Sequence, residues 1–142
     1  MIFRRSLLVW LLIMAAESIH GTLRTIFLEP SLGGVRARQV AFFTGSAIIF
    51  GITLACIRWI GATLPRRLIG IGLLWVGLTA AFEAALGRLV MHLSWDRILA
   101  DYDLSRGGLM AIGMLLMLLM PWLAARMRHV GAFAPEAPAP VA

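Results

Sequence analysis

The 142-residue chain has little that a water-soluble protein needs. Charged residues make up 14% of it, against about 25% in soluble domains. It has no lysine, and all 13 basic residues are arginine. Its single cysteine, Cys56, excludes an internal disulfide and lies within an apolar run as a small packing residue. No Cys/His cluster has metal-site spacing. No Gly-x-Ser-x-Gly, His-Glu-x-x-His, phosphate loop or dinucleotide fingerprint is present, so no hydrolytic or nucleotide-dependent chemistry is specified. What the sequence has instead is apolar residues, 61% of the total, with a mean hydropathy of +0.89. A soluble chain of this size could not bury that much apolar surface. A water-soluble globular enzyme and a disordered tail protein are both excluded.

Hydropathy picks out four runs long enough for a hydrocarbon core, which takes about 20 residues. They are 7–28, 40–60, 68–91 and 107–125. Arg4 and Arg5 before the first run suggest a signal peptide. However, no small-x-small cleavage site fits between Met14 and Ser18, and apolar character continues to Leu28, so a retained helix is expected. The predicted fold is an all-α integral membrane protein with four transmembrane helices spanning residues 1–131. A Pro/Ala tail, 132–142, follows as a disordered end.

Arginine placement orients the bundle. Arg4, Arg5, Arg58, Arg66, Arg67, Arg126 and Arg128 fall on one side, with Glu136 as the only acid. On the other, Arg24, Arg36, Arg38, Arg88, Arg97 and Arg106 are balanced by Glu17, Glu29, Glu83, Asp96, Asp101 and Asp103. The formal net charge of +6 therefore sits on one side, and the positive-inside rule predicts a bacterial-type inner membrane with both termini cytoplasmic. Trp59 and Trp122 mark the inner boundary and Trp95 the outer one. Scattered between apolar runs, the arginines form no phosphate-tracking stripe, and no nucleic-acid partner is expected.

Small residues recur every four positions at Ala47, Gly51 and Ala55, and again at Gly77, Ala81 and Ala85, with Ala80, Ala84 and Gly87 on the adjoining strip. Such stripes permit close helix packing, within the bundle or with a membrane-protein partner or second copy. Between the last two runs, Trp95, Ile98, Leu99 and Tyr102 follow helical spacing behind Ser94, a suitable N-cap. A short amphipathic helix on the outer membrane surface is expected there, either a packing lid or an interfacial docking face. A faint parallel repeat relates Glu17 and Gly21 to Glu83 and Gly87, and Arg38, Gly45 and Arg58 to Arg106, Gly113 and Arg126.

Most functional information lies in the intramembrane charges. An ionised group at the bilayer centre costs between about 2.5 and 17 kcal/mol unless paired or hydrated. Glu17, His20 and Arg24 share one face of the first helix. The third carries Glu83 and Arg88, about 140° apart around its axis. Cross-helix pairs, Glu17 with Arg88 and Glu83 with Arg24 and His20, would form an outward-opening polar cluster. Such a cluster can serve as interhelical glue, giving a non-enzymatic structural or accessory component. It can also bind protons, because burial and neighbouring charges act in opposite directions on a Glu and histidine titrates near neutrality, giving a small proton-coupled transporter. A haem held by His20 and His92 is a third reading, but the two lie about two turns apart in depth, and no cofactor is expected.

The segment Ala16-Glu17-Ser18-Ile19-His20-Gly21-Thr22 resembles the first helix of small multidrug resistance transporters. That resemblance implies four helices and a membrane glutamate, here Glu17, exchanging protons for cationic drugs. It covers a handful of residues, and the Glu-to-Gly spacing differs by one. Arg24, Arg88, Glu83 and the long outer loop also depart from the family pattern, and a buried arginine beside the glutamate would repel a cationic drug.

Overall fold

The computed structural model describes residues 1–134, all of them helix or connecting turn, with no strand. Four helices are long and apolar enough to cross a membrane: α1 (Ile2–Leu32), α2 (Gly34–Ile60), α3 (Pro65–Val90) and α5 (Met110–Met127). A fifth, α4 (Trp95–Ala100), lies in the connection before α5. The expected Pro/Ala tail beyond residue 134 falls outside the described residues.

Helix bounds exceed the apolar runs at the first connection. The stretch between the first two apolar runs is helical through Glu29-Pro30, and Gly33 alone separates α1 from α2. Its φ of 76° turns the chain sharply, a conformation glycine adopts without Cβ strain. Hydropathy marks where a helix could leave lipid, whereas backbone hydrogen bonds carry it further through Arg36 and Arg38.

At the opposite end, Gly61 closes α2 in the left-handed conformation and Pro65 opens α3 in its first turn, where the missing N–H matters least. Beyond α5, a 3-10 turn at Gly131–Phe133 docks onto this connector, Ala132 N–H donating to the Thr63 carbonyl at 3.2 Å. The chain thus remains packed past the expected boundary at residue 131. We call this the connector end, and the end with Gly33 and α4 the loop end.

The principal packing runs α1 on α2, α2 on α5 and α5 on α3, with a slighter contact between α1 and α3 that closes the ring. The core lies toward the connector end, where Ile13, Ile57, Ile60, Leu68, Ile71 and Trp75 are fully buried. Two indole bonds join α1 to α3: Trp75 Nε1 donates to the Ser6 carbonyl at 2.9 Å and Trp10 Nε1 to Thr79 Oγ1 at 3.0 Å. Both pairs are 69 residues apart, which fixes the parallel register of the two helices. Past Ile13, α1 buries no residue fully.

Of the two readings left open for the small-residue stripes, packing within the bundle does not hold for the two main ones. Ala47, Gly51 and Ala55 are exposed, as are Gly77, Ala81 and Ala85. The adjoining strip of α3 turns inward, and Gly87 lies against Ile98 of α4. The tightest approach of α3 to α5 is at Gly72, where a Cβ would overlap the Leu118 carbonyl.

Candidate functional site

The α1 face carrying Glu17 and His20 meets α2, not α3. His20 Nε2 lies 2.8 Å from Thr44 Oγ1, and His20 Nδ1 lies 3.5 Å from Glu17 Oε2. Opposite them, Gly45 leaves the room they need: a Cβ there would stand 2.9 Å from Glu17 Oε2 and 3.4 Å from His20 Cε1. Both side chains are largely covered, with 26% of Glu17 and 16% of His20 exposed, and Glu17 Oε1 is buried without a hydrogen-bond partner among the described residues.

The hydroxyl of Thr44 has two places to put its hydrogen. It can donate to the Val40 carbonyl at 3.0 Å and accept from His20 Nε2, or it can donate to Nε2. The imidazole can therefore carry its proton on either nitrogen while Nδ1 continues to face Glu17. The result is a short polar chain, Glu17–His20–Thr44, in otherwise apolar surroundings.

Arg24 pairs within its own helix. The stretch Arg24–Leu28 is a π-helix, in which N–H groups bond five residues back, ending two residues before Pro30. In a regular α-helix the Pro30 ring would press on the Ile26 carbonyl, and the widened turn relieves that clash. Widening also brings residues five apart over one another, and Arg24 Nε stands 3.5 Å from Glu29 Oε1. A second π segment, Leu86–Val90, ends α3. There Arg88 Nη1 donates to the Leu93 carbonyl at 2.7 Å, again five residues on, and its guanidinium lies over the Trp95 ring at 5.4 Å.

Glu83 lies apart from these groups, near Asp101 and Tyr102 under α4. Burial, with the negative charges of Glu83 and Asp101, pushes the Tyr102 hydroxyl above its ordinary value of 10.0. Asp103, partly exposed, is held below the ordinary carboxylate range first by the Ser105 hydroxyl at 2.6 Å and then by the Ser105 N–H at 2.9 Å.

Of the five residues expected to cluster, Glu17 and His20 come together, Arg24 and Arg88 take other partners, and Glu83 makes no ion pair among the described residues. No ion pair joins α1 to α3 among the described residues. Register supplies the reason. With an offset of 69, Arg24 is level with Leu93, ten residues or about 15 Å beyond Glu83. Arg88 is level with Ile19, close to Glu17 in depth, but is held by Leu93 and Trp95. Thr44 and Gly45 were missed by sequence reasoning. Their signal is a hydroxyl next to a glycine in the middle of an apolar run.

The expected short helix forms as α4, with Ser94 Oγ accepting from Arg97 N–H at 3.3 Å. Its four apolar positions diverge. Ile98 is buried against Gly87, Tyr102 is half-buried, and Trp95 and Leu99 stay exposed. The Asp101 carbonyl accepts from Met110 N–H at 3.1 Å, tying the lid to the start of α5.

No family profile, curated protein or solved structure matches the chain.

Proposed function

We propose that the protein is a non-enzymatic component of a bacterial-type inner membrane, structural or accessory in role, that assembles laterally with other membrane helices. Both termini lie on the cytoplasmic side. Supporting that placement, the connector end carries seven arginines and no carboxylate among the described residues, as the positive-inside rule requires. One observation carries the accessory reading: beyond Ile13, α1 buries no residue fully, yet it bears Glu17, His20 and Arg24. Polar groups at membrane depth are ordinarily covered by protein, and a neighbouring chain would complete that cover. The outward stripes of α2 and α3 give such a neighbour smooth surfaces for close approach.

The test is extraction in mild detergent. The expected particle is larger than the 15.5 kDa chain, containing a partner or further copies, and Gly51→Leu should dissociate it. Among the described residues, no neighbouring element lies within 4 Å of a Cβ at Gly51, so the bundle itself should be unaffected. A single-copy particle under every mild condition would overturn the reading.

The chain Glu17–His20–Thr44 supports a second reading, a small proton-coupled transporter. It places a carboxylate against an imidazole with two accessible tautomers. Reconstituted protein would then move protons or solute, with flux abolished by Glu17→Gln. Tight vesicles showing no flux would remove it.

A further inference from the structure

At the connector end, a surface groove of about 590 Å³ is lined by Trp122, Leu123, Arg126, Met127, His129 and Phe133. We propose that it is a binding site for one anionic phospholipid, the phosphate held by Arg126 and His129 and the acyl chains lying along Leu123 and Met127.

Charge complementarity selects the ligand. Arg4, Arg5, Arg58, Arg66, Arg67, Arg126 and Arg128 gather at this end, and none meets a carboxylate among the described residues. Arg5 and Arg58 instead donate to the Trp59 and Arg128 carbonyls, at 2.9 and 3.2 Å. Arg128, adjoining the groove, has its Nε buried without a hydrogen-bond partner among the described residues. Basic pockets at the cytoplasmic ends of membrane helices have the chemistry that anionic headgroups require. The apolar wall favours a lipid over a free anion, since Leu123 and Met127, 37% and 60% exposed, line the same groove as Arg126.

The groove is held in shape. Arg126 stacks over the Trp122 ring at 5.5 Å, and Trp122 meets Phe133 edge-on at 5.8 Å. Phe133 belongs to the turn docked on Thr63. The backbone adds an independent observation. Val130 N–H bonds to the Ala125 carbonyl at 2.9 Å and His129 N–H to the Arg126 carbonyl at 3.3 Å, the Schellman closure of a helix. His129 occupies its left-handed position, φ 51°, where glycine is the usual residue. Folding alone would be served as well or better by glycine there. His129 instead places an imidazole in the groove wall beside Arg126.

The proposal rests on the bilayer placement above but not on assembly or transport. The experiment reconstitutes the full chain in nanodiscs of phosphatidylglycerol or phosphatidylcholine and counts retained phospholipids by native mass spectrometry. One phosphatidylglycerol should stay bound where phosphatidylcholine does not, and inorganic phosphate should not displace it. Arg126→Gln should weaken retention about fivefold, the effect of one arginine at an anionic surface. His129→Gly should also weaken it while leaving the unfolding midpoint equal or higher, which separates lost contact from lost fold. Arg66→Gln, at the same end but outside the groove, should retain the lipid. Equal retention of both lipids, or retention unchanged in both groove variants, would overturn the site. Displacement by inorganic phosphate would show an anion site without lipid selectivity and overturn it too. Failure to enter nanodiscs at all would instead sink the bilayer placement.

Discussion

The Trp75 indole hydrogen-bonds the Ser6 carbonyl at 2.9 Å across the α1–α3 contact. That carbonyl is helical, so it accepts a second bond in addition to the one within α1. Four residues further along each helix, Trp10 reaches Thr79, whose hydroxyl donates to Met117 Sδ at 3.4 Å on α5. These bonds fix one register for two helices that otherwise present interchangeable leucines and isoleucines.

Trp75→Phe should therefore destabilise the bundle. The ring volume shrinks in a fully buried position and one polar bond is lost, together about 2 kcal/mol. Trp10→Phe should cost less, because that ring is at the edge of the core at 8% exposure. Thermal unfolding in a fixed detergent measures both, and the expected order is wild type, then Trp10→Phe, then Trp75→Phe.

Glycine substitutions on α3 should separate sharply by face. Gly72→Ala drives a methyl into the Leu118 backbone, which cannot rotate away, and should destabilise by about 1–3 kcal/mol. Five residues on, Gly77→Ala meets nothing within 4 Å and should be neutral or slightly stabilising, as alanine is the better helix former. Equal effects at the two positions would mean that α3 is rotated from the orientation described here.

That contrast shows what was legible in the sequence. Four long apolar runs and the lid helix behind Ser94 are written in hydropathy and periodicity, and all five elements are present. Position along a helix was legible too, because Glu17 and Glu83 follow from counting residues along a run. Azimuth was not. The ring order places α1 chiefly against α2, and no helical period specifies which neighbour a face will meet. The same gap explains why the outward stripes Ala47–Gly51–Ala55 and Gly77–Ala81–Ala85 looked like packing faces. Arginines at the ends were informative as charges but not as partners. The turn that lets Arg24 reach Glu29 is π-helical, and Arg88 reaches a carbonyl beyond the end of α3, neither of which follows from 3.6 residues per turn.

Thr44→Val should change the proton position on His20 more than it changes stability. It removes the side-chain partner that His20 Nε2 has among the described residues while keeping a similar volume. With nothing to bond at Nε2, the imidazole should favour a proton on Nδ1, directed at Glu17. Imidazole nitrogen chemical shifts report the tautomer directly. The cost to the fold should be about 1 kcal/mol, typical of polar pairs between membrane helices. Gly45→Ala should disturb the same resonances from the other side, since its methyl would displace the flexible Glu17 carboxylate.

Tyr102 is the only tyrosine, so phenolate absorbance titrates this one group. Burial, then the charges of Glu83 and Asp101, raise its pKa above 10.0. A raised value means that the fold favours the neutral hydroxyl. Its stabilising contribution is fully present below the unfolded value near 10 and is lost as pH rises through the folded value. The absorbance midpoint of the folded protein should accordingly lie above 10, and alkaline pH should loosen the lid. Glu83→Gln should bring the midpoint down by removing one negative charge, while burial keeps it from returning fully. Asp96→Asn, on α4 but not among the groups that shift Tyr102, should leave it unchanged. If Glu83→Gln also left it unchanged, Glu83 and Tyr102 would not share the space beneath α4, and the carboxylate would need another partner.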